Sequence, residues 1–258
     1  MKTRTEKPHF TKSALLISIS AQMLLIGCSA SSDDTSTTRK LVDDRVVKVQ
    51  INKTVSIEFL PMKVSPALMG RFEISQEQYQ AVIGSNPSVH VNPQHPVDAV
   101  SWNEASMFCA KLSELTGLIF RLPTELEWEI NSRGGTTTTY HYGNSEDDLV
   151  KYAWFDKNSK ETTHPVGQKA PNNYGFYDTS GNVAEWVQDW YGQLPDPLPS
   201  LQWSGPPEGT EKVIRGGGYT GPLGNAKACA PGVRFHFPPE ASSPLFGFRV
   251  VLERHTSK

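Results

Sequence analysis

The sequence lacks the patterns that mark several common classes of protein. Its formal net charge is only −2 and it has no extended basic run, which argues against nucleic acid as the main partner. None of its 7 histidines has the His-Glu-x-x-His spacing of a zinc hydrolase. The glycine-rich segment Gly216–Tyr219 is not followed by the Gly-Lys-Ser or Gly-Lys-Thr of a phosphate-binding loop. No serine has the Gly-x-Ser-x-Gly context of a nucleophile elbow.

Glycine and proline, in contrast, are plentiful. The 20 glycines and 19 prolines among 258 residues favour loops and short elements over long helices. A hydrophobic fraction of 37% still supports a sizeable core, and the length suits one large domain or two small ones. These proportions predict an irregular, loop-rich α+β fold with about three short helices and several short strands.

The first 27 residues have the pattern of a bacterial lipoprotein signal peptide. Basic residues precede the apolar stretch Ala14–Gly27, which is too short for a convincing membrane span. The stretch ends at Cys28, the expected lipidation site, and Ser29 resembles the outer-membrane sorting pattern. Residues 28–44 would then be a flexible tether for a domain over 45–258, held on the periplasmic side of the outer membrane. The alternative is an ordinary signal peptide with a chance cysteine.

Three start and stop signals predict the helices. Each segment follows a serine or threonine that can cap a helix, and each ends at a glycine or an Arg-Gly-Gly run. At Ser75 and Thr124, a Gln or Glu three residues later completes a capping box. The predicted helices are Gln76–Ile83, the segment between Ser101 and Gly117, and Glu125–Ser132.

Alternating apolar residues predict a hairpin at the start of the domain, from Val47–Ile51 and Val55–Phe59. Later strands are expected at Val213–Arg215 and Phe246–Val251. No periodicity persists over residues 136–167, which we expect to be a loop region, and Leu194–Gly209 has the composition of a surface excursion.

Two further features have structural interpretations. Cys109 and Cys229 would either pair in an oxidising compartment or remain two buried thiols, and Cys109 lies on the apolar stripe of the second helix. Five arginines stand beside glycine, proline or aromatic residues, where bidentate clamping of loops is more common than chemistry. They are Arg121, Arg133, Arg215, Arg234 and Arg249.

The stretch Pro171–Gly192 places four aromatic residues between turn-forming residues. Asp178 and Glu185 lie on either side of the turn at Gly181, so a loop folded back there would aim both carboxylates at one point. Carboxylate and carbonyl oxygens are the ligands that calcium prefers, although the spacing does not fit an EF-hand. The alternative is that Asp178 caps a turn and the tryptophans of this stretch fill a core.

A series of motifs resembles the formylglycine-generating enzyme family, the sulfatase-modifying factor domain. The motifs are Val100–Ala105, Arg121–Glu129, Arg133–Gly135, His164–Gly167, Asn173–Asp178, Gly181–Trp186, Arg215–Gly217 and Gly247–Arg249. They occur in family order and cover the chain from about Lys53 to Leu252. The resemblance implies a compact fold related to C-type lectins, with little regular secondary structure.

The resemblance also implies one calcium site in the central loop. Its ligands would be the side chains of Asp178 and Glu185 and the carbonyls of Gly181 and Val183. A second calcium site of the family is doubtful here, because Trp154 replaces the asparagine that begins it.

The sequence departs from the family where its enzymes bind copper through two cysteines to oxidise a substrate cysteine. Those positions are Gly221 and Ala226, and neither side chain can ligate a soft metal. We therefore expect no copper, and a protein- or peptide-binding regulatory lipoprotein of the periplasm. One alternative is a protein-modifying oxidoreductase with other catalytic groups, for which Cys229, Arg234 and His236 are candidates. The other is a structural lipoprotein of an envelope assembly.

Overall fold

The computed structural model describes residues 45–195, 200 and 203–254. The predicted signal peptide over 1–27, the predicted lipidation site Cys28 and the predicted tether over 28–44 lie outside these residues, as do residues 196–199 and 201–202 of the expected surface excursion. Within the described part of the chain, no helix is both long enough and apolar enough to span a membrane.

The three helices are α1 (Gln76–Ile83), α2 (Trp102–Thr116) and α3 (Glu125–Arg133). All three begin with a complete capping box, in which the cap hydroxyl and the residue three positions later bond to each other's backbone. All three end at a glycine in the left-handed conformation, which residues with a Cβ avoid. The predicted helices are therefore confirmed, with α3 one residue longer than expected.

Nine short strands form two sheets. They are β1 (Val47–Gln50), β2 (Ser56–Pro61), β3 (Leu68–Gly70), β4 (Phe120–Arg121), β5 (Ala184–Trp190), β6 (Lys212–Arg215), β7 (Arg234–Phe237), β8 (Phe246–Phe248) and β9 (Val251–Leu252). The first sheet has the order β1-β2-β3-β9-β4 and is antiparallel throughout. The second has the order β7-β6-β5-β8, with β5 and β8 parallel. The predicted hairpin is the β1–β2 pair.

The prediction of one strand over Phe246–Val251 was wrong, because the segment divides between the two sheets. β8 pairs with β5 in the second sheet, whereas β9 pairs with β3 and β4 in the first. Arg249 lies at the break, and its fully buried side chain donates to the carbonyl of Gly70 and to Glu185. One short segment thus joins both sheets through a buried charge.

No pattern in the sequence indicated β5, an interior strand of the second sheet. Five of its seven residues, Ala184–Val187 and Asp189, are buried, so burial does not alternate along the strand. A strand covered on both faces gives no period of two in the sequence. Trp186, in this strand, is fully buried and joins the main core.

The two cysteines are free and buried in different parts of the core. Cys109 packs in the main cluster beneath α2, and Cys229 packs in a smaller cluster with Tyr140 and Phe155. Burial raises the pKa of each thiol to about 12. Of the two alternatives for this pair, the structure has the buried thiols.

Candidate functional site

The five arginines clamp loops and strands, as their sequence context suggested. Arg215 is fully buried and contacts Glu125 at 2.9 Å and Glu129 at 2.5 Å. Arg234 also grips Glu125, with its Nε 2.6 Å from the carboxylate, and donates to the carbonyl of Gly192. Arg121, Arg133 and Arg249 each pair with glutamate in the same way. The pairs of Arg215 and Arg234 tie α3 to the second sheet and give Arg234 a structural role.

The three catalytic candidates occupy separate environments. The Cys229 side chain is fully buried, and its high pKa leaves almost no thiolate at neutral pH. Arg234 is committed to Glu125, and His236 Nδ1 lies 2.6 Å from Glu211 at the surface. The described residues therefore do not bring Cys229, Arg234 and His236 together as nucleophile and base.

The positions of the family's copper cysteines have lost more than their sulfur atoms. Gly221 begins a short 3-10 turn, Gly221–Leu223, with φ of +67°, a conformation that a residue with a Cβ rarely adopts. Ala226 is buried, and its carbonyl accepts a 2.9 Å hydrogen bond from the hydroxyl of Tyr140. Backbone conformation and packing at these positions both suit the small residues present.

The central loop forms part of a buried cluster of three carboxylates around one guanidinium, which we call the Arg249 cluster: Glu73, Asp178, Glu185 and Arg249. All four side chains are buried. Arg249 donates to both oxygens of Glu185 at 2.6 and 2.7 Å, and the indole of Trp128 donates to Glu185 at 2.8 Å. Three buried carboxyl groups therefore surround one buried guanidinium, which pairs directly with Glu185, while Lys169 also acts on Asp178.

The third carboxylate, Glu73, was missed in the sequence analysis because it lies more than a hundred residues from the loop that it holds. It accepts hydrogen bonds from the side chain of Asn182 at 2.7 Å and from the backbone of Val183 at 3.0 Å. Burial, followed by the charges of Asp178 and Glu185, raises its pKa well above the usual value.

The two carboxylates of the predicted calcium site, Asp178 and Glu185, differ in their hydrogen bonding. One carboxylate oxygen of Asp178 accepts from the backbone of Gly167 at 2.6 Å, whereas its buried Oδ1 has no partner. Burial raises the pKa of Asp178 to about 6. Among the described residues no three His, Cys, Asp or Glu side chains are arranged to hold a metal by themselves. A calcium ion here would accordingly need backbone carbonyls as well, and Glu185 would share it with Arg249.

A second constellation, the histidine patch, consists of His90, His95, His164 and Tyr219. The His90 ring lies 3.2 Å from the hydroxyl of Tyr219. The carbonyl of Ser159 contacts His164 at 2.7 Å, and its hydroxyl donates to the carbonyl of Tyr219 at 2.7 Å. The histidines are half-buried and lie near the Tyr219 segment, two residues before Gly221.

Stacking orders the rings of the histidine patch. The His95 and His164 rings are nearly parallel with centroids 6.4 Å apart, and His164 stacks on Trp154 at 3.8 Å. Burial, and then the charges of His164 and His90, lowers the pKa of His95. A lowered pKa keeps this imidazole neutral at pH 7, so its ring presents a weakly polar surface.

The sequence contained one sign of this patch. His95-Pro96-Val97 and His164-Pro165-Val166 share a tripeptide, although two copies do not establish a repeat. No sequence pattern indicated His90 as part of the patch, because its proximity to Tyr219 depends on a contact between residues 129 positions apart.

Backbone strain occurs within and next to the Arg249 cluster. The described residues include five non-glycine residues with positive φ: Asp178 and Asn182, and also Ala99, Lys160 and Glu161. Asn182 bridges the sites, since its side chain donates to Glu73 and accepts from the backbone of His164. Such conformations persist where the surrounding structure over-determines them, which often happens at functional sites.

Two shallow cavities, of about 270 and 340 Å³, lie elsewhere. They share Arg121 and Gln188 in their walls and include neither the histidines nor the Arg249 cluster. Since Arg121 is already committed to Glu127 and Glu253, these cavities offer no unpaired charged group for chemistry.

Comparison with known proteins supports the family resemblance. The model of the sulfatase-modifying factor enzyme 1-like domain matches residues 59–254. The formylglycine-generating enzyme of Bos taurus is 30% identical over 182 residues, which cover 66% of this chain and 47% of that enzyme. The chain thus spans about half the length of this curated relative.

Two other proteins are similar over nearly their whole length. The chaperone protein LppX of Paenibacillus barcinonensis is 28% identical over 295 aligned positions, covering 93% of this chain and 98% of LppX. The structure of Treponema denticola variable protein 1 superposes with a TM-score of 0.74 at 28% identity, covering 81% of this chain and 99% of that one.

Proposed function

The chain belongs to the sulfatase-modifying factor enzyme 1-like family, and we propose that it binds other polypeptides rather than oxidising them. The observation that carries this proposal is the state of the copper positions. Gly221 and Ala226 have no ligating atoms, and the nearby Cys229 is sealed in the core. The extended similarity to a protein named as a chaperone supports binding as the retained function.

The histidine patch is the surface that we assign to this binding. It lies beside the segment that carries the copper cysteines in the family's oxidases. Its three histidine rings are half-exposed, and those of His95 and His164 are stacked. Aromatic and imidazole rings held in place contribute contact area at little entropic cost. We further propose that lipid on Cys28 holds the protein on the periplasmic side of the outer membrane.

The test uses the full chain in two assays. Reduced and carboxymethylated α-lactalbumin, a permanently unfolded polypeptide, is the binding probe, and fluorescence anisotropy is the measurement. A cysteine-containing peptide with added copper and oxygen is the oxidation probe, read by the mass change of formylglycine formation. We expect binding without formylglycine. Turnover of the peptide would support the oxidoreductase alternative, and failure of both assays would favour a structural lipoprotein.

Calcium is the cofactor that we propose for the Arg249 cluster. Asp178 and Glu185 would supply carboxylate oxygens, with the carbonyls of Gly181 and Val183. Bound calcium would supply positive charge to a region where three carboxyl groups surround one guanidinium, and the unpartnered Oδ1 of Asp178 is the feature that supports it.

Removal of calcium tests this assignment. A ligand present at a hundred times its Kd stabilises the fold by about 2.7 kcal/mol, so chelation should lower the melting temperature by several degrees. Asp178→Asn should abolish the difference between calcium and chelator, whereas Asp148→Asn, at the exposed Lys151 pair, should preserve it. Elemental analysis after dialysis checks stoichiometry, and a protein without calcium and indifferent to chelation would refute the site.

A further inference from the structure

The loop over residues 86–92 presents two valines to solvent beside the histidine patch. Val89 is 57% exposed and Val91 is 77% exposed, the two highest values for large apolar side chains in the described part of the chain. His90 lies between them and turns towards Tyr219 instead. Single exposed aliphatic residues are common on protein surfaces, so exposure alone does not indicate a function.

What distinguishes this loop is how firmly it is held. Gln76, at the start of α1, is 1% exposed and uses all four hydrogen bonds of its amide. Its oxygen accepts from the Asn86 side chain at 2.9 Å and from the Asn92 backbone at 3.0 Å. Its nitrogen donates to the carbonyls of His90 at 2.9 Å and Pro96 at 3.2 Å. One buried amide therefore fastens both ends and the middle of the loop.

A second buried anchor fixes Val89 itself. The carboxylate of Asp98, which is fully buried, accepts from the backbone of Val89 at 2.9 Å. The backbone of Asp98 in turn donates to the hydroxyl of Ser88 at 3.1 Å. The valine side chains are thus exposed on a loop whose backbone is held by hydrogen bonds to buried side chains. They therefore lose little conformational freedom when a partner covers them.

The charge of the loop indicates the chemistry of that partner. Residues 84–97 include no Asp, Glu, Lys or Arg, so the histidines are their only ionisable groups. An uncharged edge with two aliphatic side chains complements an uncharged apolar segment, because a charged one would lose hydration without gaining a counter-charge.

We propose that Val89 and Val91 are the docking edge for an extended aliphatic segment of an incompletely folded polypeptide. The proposal rests on the polypeptide-binding function proposed above and names the side chains that make the contact. The histidine patch borders the bound segment through His90.

The test compares two double variants of the full chain. Val89→Ser with Val91→Ser removes the docking edge. Leu115→Ser with Ile119→Ser removes two other aliphatic side chains, each 54% exposed, near the end of α2 and just before β4. Fluorescein-labelled, reduced and carboxymethylated α-lactalbumin is titrated with each protein and followed by anisotropy, and melting temperatures confirm that both variants are folded.

We expect the valine variant to bind about tenfold more weakly, which corresponds to about 1.4 kcal/mol. The control variant should stay within about twofold of the wild type. Unchanged affinity of the valine variant, or an equal loss in both variants, would overturn the docking edge while the binding function stands. Absence of binding by the wild type would overturn the binding function and the docking edge with it.

Discussion

The Arg249 cluster and the histidine patch are neighbours joined by Asn182, yet they use ionisable groups in opposite ways. In the Arg249 cluster the charges are buried, and Glu185 is held by Arg249 and Trp128. In the histidine patch the three histidine rings are half-exposed, and each lies within hydrogen-bond distance of an uncharged oxygen. The first joins the two sheets, and the second faces the surface that we assign to binding.

The difference shows how burial assigns roles to groups of similar chemistry. A charge removed from water needs a partner within the protein, so each buried carboxylate fixes the element that supplies its donor. A half-exposed imidazole keeps its access to water and to other molecules. Three predictions, in order of decreasing expected effect, test whether the two regions differ in this way.

Loss of the guanidinium should be the most damaging change. Arg249→Ala would leave Glu185 buried without its counter-charge, and removal of one partner from a buried pair costs about 3–5 kcal/mol. Chemical denaturation of the purified protein measures this loss. Arg133→Ala, at a half-exposed pair with Glu129, is the matched control and should cost no more than about 1 kcal/mol. Equal losses of stability in the two variants would contradict the difference between the buried pair and the half-exposed pair.

The loop that carries His90 should also depend on a buried anchor, with a smaller effect. Gln76→Ala would remove four hydrogen bonds from one buried site, and we expect a loss of about 2–3 kcal/mol. Gln94→Ala removes a single exposed bond to Glu77 and should change stability by less than about 0.5 kcal/mol. Hydrogen exchange at the backbone amide of Asn92 should accelerate only in the first variant. Unchanged exchange would contradict the anchoring role.

The pH dependence of stability should contain a small contribution from His95. Its pKa in the folded protein is lowered from 6.5, so the unfolded chain binds more protons as the pH falls. The stabilising contribution of neutral His95 is therefore present above about pH 6.5 and is lost as the pH falls below that value. The free energy of unfolding of His95→Gln, measured between pH 7 and 5, should fall less steeply than that of the wild type. His255→Gln, which lies outside the described residues, serves as the control.

Local signals in the sequence predicted the helices and the hairpin correctly. Capping boxes, stop glycines and alternating apolar residues act within a few positions, so a short stretch of sequence is enough to predict these elements. The identities of Gly221 and Ala226 are also read from the sequence alone, and neither side chain can ligate a soft metal. Strand β5 was missed because burial on both faces removes its periodicity, and the last strand was misassigned because Arg249 divides it between two sheets.

The sequence by itself determined the family, the fold class and the three helices. Only the tertiary structure decided that Glu73 joins Asp178 and Glu185 around Arg249, and that His90 meets Tyr219. The reason is physical: helix caps and turns arise from interactions between near neighbours, whereas charge pairing and ring contacts join residues far apart in the chain. Those long-range contacts depend on how the whole core packs, and no local pattern records them.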